Sequence, residues 1–359
     1  MRRSLAAVAA IGGLLALAPA VPAAAEPTPT TVATGLAAPL SFGVDLDRTI
    51  YVAQVSFDPS TPSVLTRIKH SGARTDLATV SGELGAVSVL AGYVTYAETT
   101  VSEAGSSTLM KRLSPWGSTT TVADLGAAEA RLNPDGGQLY GFVNDPLDEA
   151  CAAEFEETVG APAVHSGEVF SHPYGSVALP GLVTVVADAG ANTVWRIVGG
   201  KVKPLWVLPP SPHVVTAEIA AALGAPDCVV GKEFLAEGVP TDIELGGDGM
   251  LYVTSLPGAP GESIPGAATV YKVNPISGRA SVAVSGLFSA SGLAIGRDGT
   301  GYVAEIFPGT VSSARSGAAP SPFLTGLDSP AAVEYQRGTL YVSTGAFGPS
   351  GAIVSVPVP

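Results

Sequence analysis

Several side chains capable of acid–base or ligand chemistry stand at one recurring place in the chain. Glu98, Asp188 and Glu305 each close a short apolar run: Tyr96-Ala97-Glu98, Val186-Ala187-Asp188 and Val303-Ala304-Glu305. Gln54, Ser255 and Thr344 hold the same place in three further runs. His172 and Asp242 flank Pro173 and Pro240, which open two of the units. Carboxylate and amide oxygens are hard ligands, suited to Ca²⁺. A cation held by Glu98, Asp188 and Glu305 would polarise a substrate oxygen. The plainer use is structural. Polar residues at strand ends bond turn backbone, and Asp188 with Asn192 reads first as a turn pair.

Familiar catalytic patterns are missing. The chain has no Gly-x-Ser-x-Gly, no His-Glu-x-x-His, no Cys-x-x-Cys and no Gly-Lys-Ser/Thr loop. Its four histidines, His70, His165, His172 and His213, form no local metal pair. Gly299-Thr300-Gly301-Tyr302-Val303-Ala304 formally fits a dinucleotide pattern but leads into a strand, not out of one into a helix. A formal charge of −13 makes nucleic acid and anionic membranes poor partners.

The elements that carry these residues repeat. Each unit reads as a turn, an apolar strand, a tight turn, and an aromatic and β-branched strand ending on the polar residue. Pro39, Pro173 and Pro240 stand fourteen positions before Ala53, Ala187 and Thr254. Asp248-Gly249 and Asp298-Gly299 read as hairpin turns between the first two strands. Third and fourth strands follow, such as 193–198 and 201–208. Gly 43 and Pro 30 in 359 residues suit short strands and tight turns. Six such units predict an all-β fold, a six-bladed β-propeller of four-stranded antiparallel blades.

The last unit lacks a fourth strand, and Thr30–Thr34 supplies one, so the N-terminal strand is expected to close the ring. A seven-bladed ring, with 138–143 in a small extra blade, is the alternative. Residues 144–171 and 209–238 are insertions with short helix signals. In the first, Asp145 reads as the N-cap, Pro146 as first-turn proline and Gly160 as the stop. In the second, 216–223 is Ala-rich and ends at Gly224. Trp116, Trp195 and Trp206 are expected to fill gaps between blades.

In an antiparallel meander the second strands end where the first strands begin. Gln54, Glu98, Asp188, Ser255, Glu305 and Thr344 should therefore share one face with His172 and Asp242. Both insertions rise from that face, around the central channel. This concave mouth is the candidate ligand site for a small molecule or a protein. The ligand-binding candidates are His172, Asp188, Asn192, Asp242, Glu98 and Glu305.

The run Asn133-Pro134-Asp135-Gly136, Tyr140-Gly141-Phe142, Cys151-Ala152-Ala153, Ser171-His172-Pro173-Tyr174 and Ala187-Asp188-Ala189-Gly190 resembles the ScyD/ScyE family of secreted bacterial proteins. Val239-Pro240-Thr241-Asp242 with Gly247-Asp248-Gly249 adds to the resemblance. It implies a propeller and export, but no reaction. This chain departs from the pattern at His172, where the family has Asn, and at Ala191, where it has Gly.

Two functions fit these residues. One is a secreted, monomeric binding module. The other is a cation-dependent propeller hydrolase, lactonase or lyase. Cys151 and Cys228 are the only cysteines, one in or beside each insertion, and are expected to form a disulfide across the mouth. That bond would close a loop of about 77 residues, worth on the order of 4 kcal/mol in the chain-entropy treatment. Export is expected from Arg2 and Arg3, the apolar stretch 5–17 and Ala23-Ala24-Ala25. No later stretch is apolar enough to insert in a membrane. N-terminal sequencing of the exported protein should begin at Glu26; a start at Met1 would show that the leader is not cleaved.

Overall fold

The computed structural model describes residues 27–58, 60–102 and 105–358. The leader peptide expected at 1–25 lies outside them. Strand β1 (Thr30–Leu36) comes first. Then follow β2 (Ser41–Val44), β3 (Ile50–Gln54), β4 (Ser63–Ile68) and β5 (Arg74–Val80), which form one antiparallel sheet. The next sheet is β6 (Glu83–Leu90), β7 (Tyr93–Ser102), β8 (Gly105–Leu113) and β9 (Thr119–Asp124). Helix α1 (Leu125–Leu132), strand β10 (Leu139–Gly141), helix α2 (Glu149–Val159) and strand β11 (Val164–Ser166) come before the third sheet. That sheet is β12 (Pro173–Leu179), β13 (Val183–Asp188), β14 (Thr193–Val198) and β15 (Lys201–Val207).

The second insertion holds β16 (Ser211–Val214), α3 (Ala217–Leu223) and β17 (Glu233–Ala236). Two further sheets follow. One is β18 (Pro240–Leu245), β19 (Leu251–Ser255), β20 (Ala268–Val273) and β21 (Ala280–Leu287). The other is β22 (Ala290–Ile295), β23 (Gly301–Glu305), β24 (Thr310–Ala314) and β25 (Ser321–Leu324). The chain ends on β26 (Val333–Gln336), β27 (Thr339–Thr344) and β28 (Gly351–Pro357).

Strand β1 completes this last sheet by pairing with β28, Thr30 opposite Ser355 and Leu36 opposite Gly351. The first strands of six sheets touch in a cycle: β2 on β6, β6 on β12, β12 on β18, β18 on β22, β22 on β26, and β26 on β2. Between the last and first sheets, Leu36, Tyr341 and Ile353 pack with Phe42, Ile50 and Val52. The inner strands approach at backbone distance. A Cβ at Gly175 would lie 2.7 Å from the Asp242 Cα, so β12 can meet β18 only with glycine there.

A seventh sheet, ordered β11-β10-β17-β16, is built from both insertions and brings together segments on either side of β12–β15. It has its own apolar core, in which Phe142 packs edge-on against Phe155 and Phe234. The Cys151–Cys228 disulfide staples this layer, with Cα atoms 6.0 Å apart. Residues 139–141, assigned to an extra blade in the seven-bladed alternative, belong here.

Local departures have simple causes. Helix α2 is capped by Asp148, whose carboxylate accepts from the Cys151 amide, and not by Asp145, which pairs with Lys232 at 2.8 Å. Gly160 ends that helix in the left-handed conformation, and Thr216 caps α3. Helix α1, capped by Asp124, has no counterpart in the sequence reading. Trp195 is fully buried and Trp206 packs on Tyr271 of the neighbouring sheet. Trp116 fills no gap: it is 81% exposed in a hairpin turn, edge-on to Tyr93. No helix of the described residues is long and apolar enough to cross a membrane.

Removing Thr30–Leu36 leaves β28 as an unpaired edge. The truncated protein should aggregate and lose its cooperative melting transition, read by light scattering and circular dichroism. An unchanged transition would show that the pairing is dispensable.

Candidate functional site

The first strands begin on one face. Glu83 opens β6, and His172 directly precedes β12. The backbone at His172 is fixed from below, its N–H donating to Asp188 Oδ1 at 2.6 Å. The other oxygen of Asp188 accepts from Ser171 Oγ at 2.6 Å and Trp195 Nε1 at 2.9 Å. Burial holds this carboxyl above its ordinary range, and the bonds to Ser171, His172 and Trp195 oppose the shift. Asp188 is therefore an anchor for the mouth, with no oxygen free for a ligand.

The His172 side chain projects to Glu83, Nε2 to Oε2 at 2.6 Å. That hydrogen bond holds Glu83 below its ordinary range and outweighs partial burial. Phe170 lies 5.8 Å and Tyr174 5.0 Å from the imidazole, ring centre to ring centre. A cleft of about 250 Å³ opens on one side, edged by Phe57, Asp58, Ser81, Glu83 and Phe170. A second, of about 260 Å³, lies between Glu168, Gly190 and Glu237 and shares Phe170 with the first. His172 borders both. Glu168 and Glu237 are the roots of the two insertions, so the accessory layer rises beside this histidine.

Deeper in, Asp242 and Glu244 on β18 and Glu334 on β26 act on one another. Asp242 and Glu244 lie two residues apart on β18, and Glu334 lies on β26, with β22 between the two strands in the cycle of contacts. Asp242 accepts from the Ile243 and Leu293 amides at 2.8 and 2.7 Å, which ties β18 to β22. Burial raises Asp242 to about 7. Burial and mutual repulsion push Glu244 and Glu334 well above the usual carboxyl range.

The remaining sequence candidates disperse. Glu98 lies within β7, not at its end, and pairs with Lys111 at 3.3 Å. Glu305 accepts from the Phe288 amide at 2.6 Å and from Ser312 Oγ. Asn192 adopts a left-handed turn conformation and donates to Asp135 at 2.9 Å and Glu237 at 3.1 Å. Glu98, Asp188 and Glu305 thus do not converge as a ligand set. Among the described residues no three His, Cys, Asp or Glu side chains group to hold a metal. Glu83, Glu244 and Glu334 escaped the sequence reading. The rule that placed His172 and Asp242 at the mouth applies equally to Glu83, but no proline marks the start of its unit.

No protein-family model matches the chain, and no curated protein matches its sequence. Solved structures do share its fold. The PQQ-bound aldose sugar dehydrogenase of Streptomyces coelicolor is 14% identical, with a TM-score of 0.53 over 91% of this chain and 96% of that one. A gluconolactonase of Xanthomonas campestris is 12% identical, with a TM-score of 0.52 over 93% of this chain and 90% of that one. Regucalcin of Agrobacterium tumefaciens, a calcium-binding protein, is 11% identical, with a TM-score of 0.52 over 92% of this chain and 91% of that one. These likenesses establish an all-β propeller architecture.

A carboxyl raised in the folded state stabilises fully below its unfolded pKa, near 4, and the contribution is lost as pH rises through the folded value. For Asp242 that window runs from roughly 4 to about 7. The melting temperature should therefore fall between pH 5 and pH 8. Glu334→Gln should raise it at pH 8 and flatten the fall, read by calorimetry across buffers of equal ionic strength. An unaltered slope would mean that the three carboxyls do not act on one another.

Proposed function

We propose that this protein is a propeller enzyme acting on a small molecule at the channel mouth, by acid–base chemistry centred on His172. The observation that carries this reading is the 2.6 Å His172–Glu83 contact between two clefts. When Nε2–H donates to a carboxylate, the tautomer is set and Nδ1 carries the free lone pair. Glu83, held ionised by that bond, would also stabilise the imidazolium once a proton is taken. Such a pair suits removal of a proton from a substrate carbon, as in a lyase, or from water, as in a lactone or ester hydrolase.

The fold supports the reading, being shared with a lactonase and a dehydrogenase. We favour it over the interaction module for this reason and for the mouth geometry. We read the ring as six blades, from the cyclic contact of six first strands, with the seventh sheet as an accessory layer. Export, membership of the ScyD/ScyE family and monomeric behaviour belong to the same proposal.

A cation on the channel axis is not part of it. Asp242 accepts a backbone amide on each of its oxygens, which gives it a fastening role between β18 and β22.

The test is turnover of a panel of lactones, aryl esters and cyclic depsipeptides. His172→Ala should cost about 10²–10⁴-fold in kcat, the usual worth of a general base, with part of the loss restored by added imidazole. Glu83→Gln should cost less and change the pH profile. Equal turnover by His172→Ala would overturn the assignment. Binding across the panel without turnover would return the protein to the interaction-module reading.

A further inference from the structure

Behind the mouth, α1, the loop after it and the 188–193 turn enclose a group of polar atoms with no partner. Among the described residues, seven buried side-chain oxygens lack a hydrogen bond here: both of Glu129 and one each of Asn133, Asp135, Gln138, Asn192 and Thr193. Native interiors leave few such atoms. Glu129, Asp135 and Asn192 are at most 1% exposed, so bulk solvent does not reach them.

The residues that carry these atoms are linked by hydrogen bonds. Asn192 Nδ2 donates to Asp135 Oδ2 at 2.9 Å, which leaves Asn192 Oδ1 and Asp135 Oδ1 unused. Gln138 Nε2 donates to the Leu208 carbonyl at 3.0 Å, and the Leu208 amide donates to the Asn192 carbonyl at 2.9 Å. The loop is wound tightly, with Asn133 N–H on the Glu129 carbonyl and Gln138 N–H on that of Asp135, each at 2.8 Å. A Cβ at Gly167 would sit 2.3 Å from the Asp135 carboxyl carbon, so glycine is required for the chain to cover it. The charges that act on Glu129 are those of Asp188 and Asp135, and the charge that acts on Asp135 is that of Glu237. All are negative.

We propose that these residues form a site for a hard divalent cation, Ca²⁺ by its chemistry. Its ligands are the Glu129 and Asp135 carboxylates and the side-chain oxygens of Asn133, Gln138 and Asn192. An all-oxygen set of carboxylates and amides matches Ca²⁺, whereas zinc and copper favour nitrogen and sulfur. A cation there meets the buried negative charge and the unpartnered oxygens together. It also cross-links α1 and the 133–138 loop to the turn that begins at Asp188, which holds the His172 backbone. The site uses none of Asp242, Glu244 and Glu334 and does not depend on the chemistry proposed for His172.

Terbium luminescence tests it, since Trp195 and Tyr140 both bond acidic residues of this region and can sensitise the ion. The full chain, stripped with EGTA, should bind one Tb³⁺ with sensitised emission, and Ca²⁺ should displace it. Ca²⁺ should also raise the melting temperature. Glu129→Gln and Asp135→Asn should each weaken binding by roughly tenfold or more. Asn133→Ala provides a variant at the rim should either fail to fold. Glu334→Gln should bind as the parent does. Absence of sensitised emission, full binding by all three pocket variants, or loss of binding in Glu334→Gln would each overturn the assignment.

Discussion

Closure of the ring is the constraint on which the other features rest. The first strands of six of the seven sheets each touch two neighbours, and the last sheet is complete only when β1 lies on β28. Closure brings the starts of these strands to a common mouth. That is how Glu83 and His172, 89 residues apart, come within 2.6 Å. It also brings carboxyls of β18 and β26 within electrostatic reach of one another. The apolar cores lie between sheets, as with Leu36 and Tyr341 against Phe42, so the channel itself can be polar.

The acidic residues divide by what their oxygens touch. Asp188, Asp242 and Glu305 are bonded at both oxygens by amides, hydroxyls or an indole, and act as fasteners between strand ends. Glu83 and Glu237 face histidines, which keeps them charged. Glu244, Glu334 and Glu129 feel the charge of other acids. A negative side chain at a strand end therefore says little about ligands until its bonding partners are known.

Much of this was legible in the residues. The apolar runs, Asp-Gly turns and terminal polar positions mark the sheets. The shortfall of one strand in the last unit points to β1. The two cysteines, each tied to an insertion, imply their own pairing. Other features depend on facts that spacing does not carry. Strand β7 runs past the unit's usual length to Ser102, which moves Glu98 inside a strand and beside Lys111. Asp145 and Asp148 are equally good caps on paper, and Lys232, far along the chain, claims the first. The Asn133-Pro134-Asp135-Gly136 run is recognisable, but the burial of its oxygens against Asn192 exists only in three dimensions.

The seventh sheet has an origin problem of its own. Its two halves, β10–β11 and β16–β17, are separated in the chain by the complete sheet β12–β15, and each supplies one half of the disulfide. Neither half has a full set of partners alone. A recombination event that moved one segment into a related ring would leave open strand edges, an orphan thiol and an exposed phenylalanine cluster. The layer is therefore heritable only as a pair, with the sheet between as its spacer. A relative that lacks one of these segments is expected to lack the other.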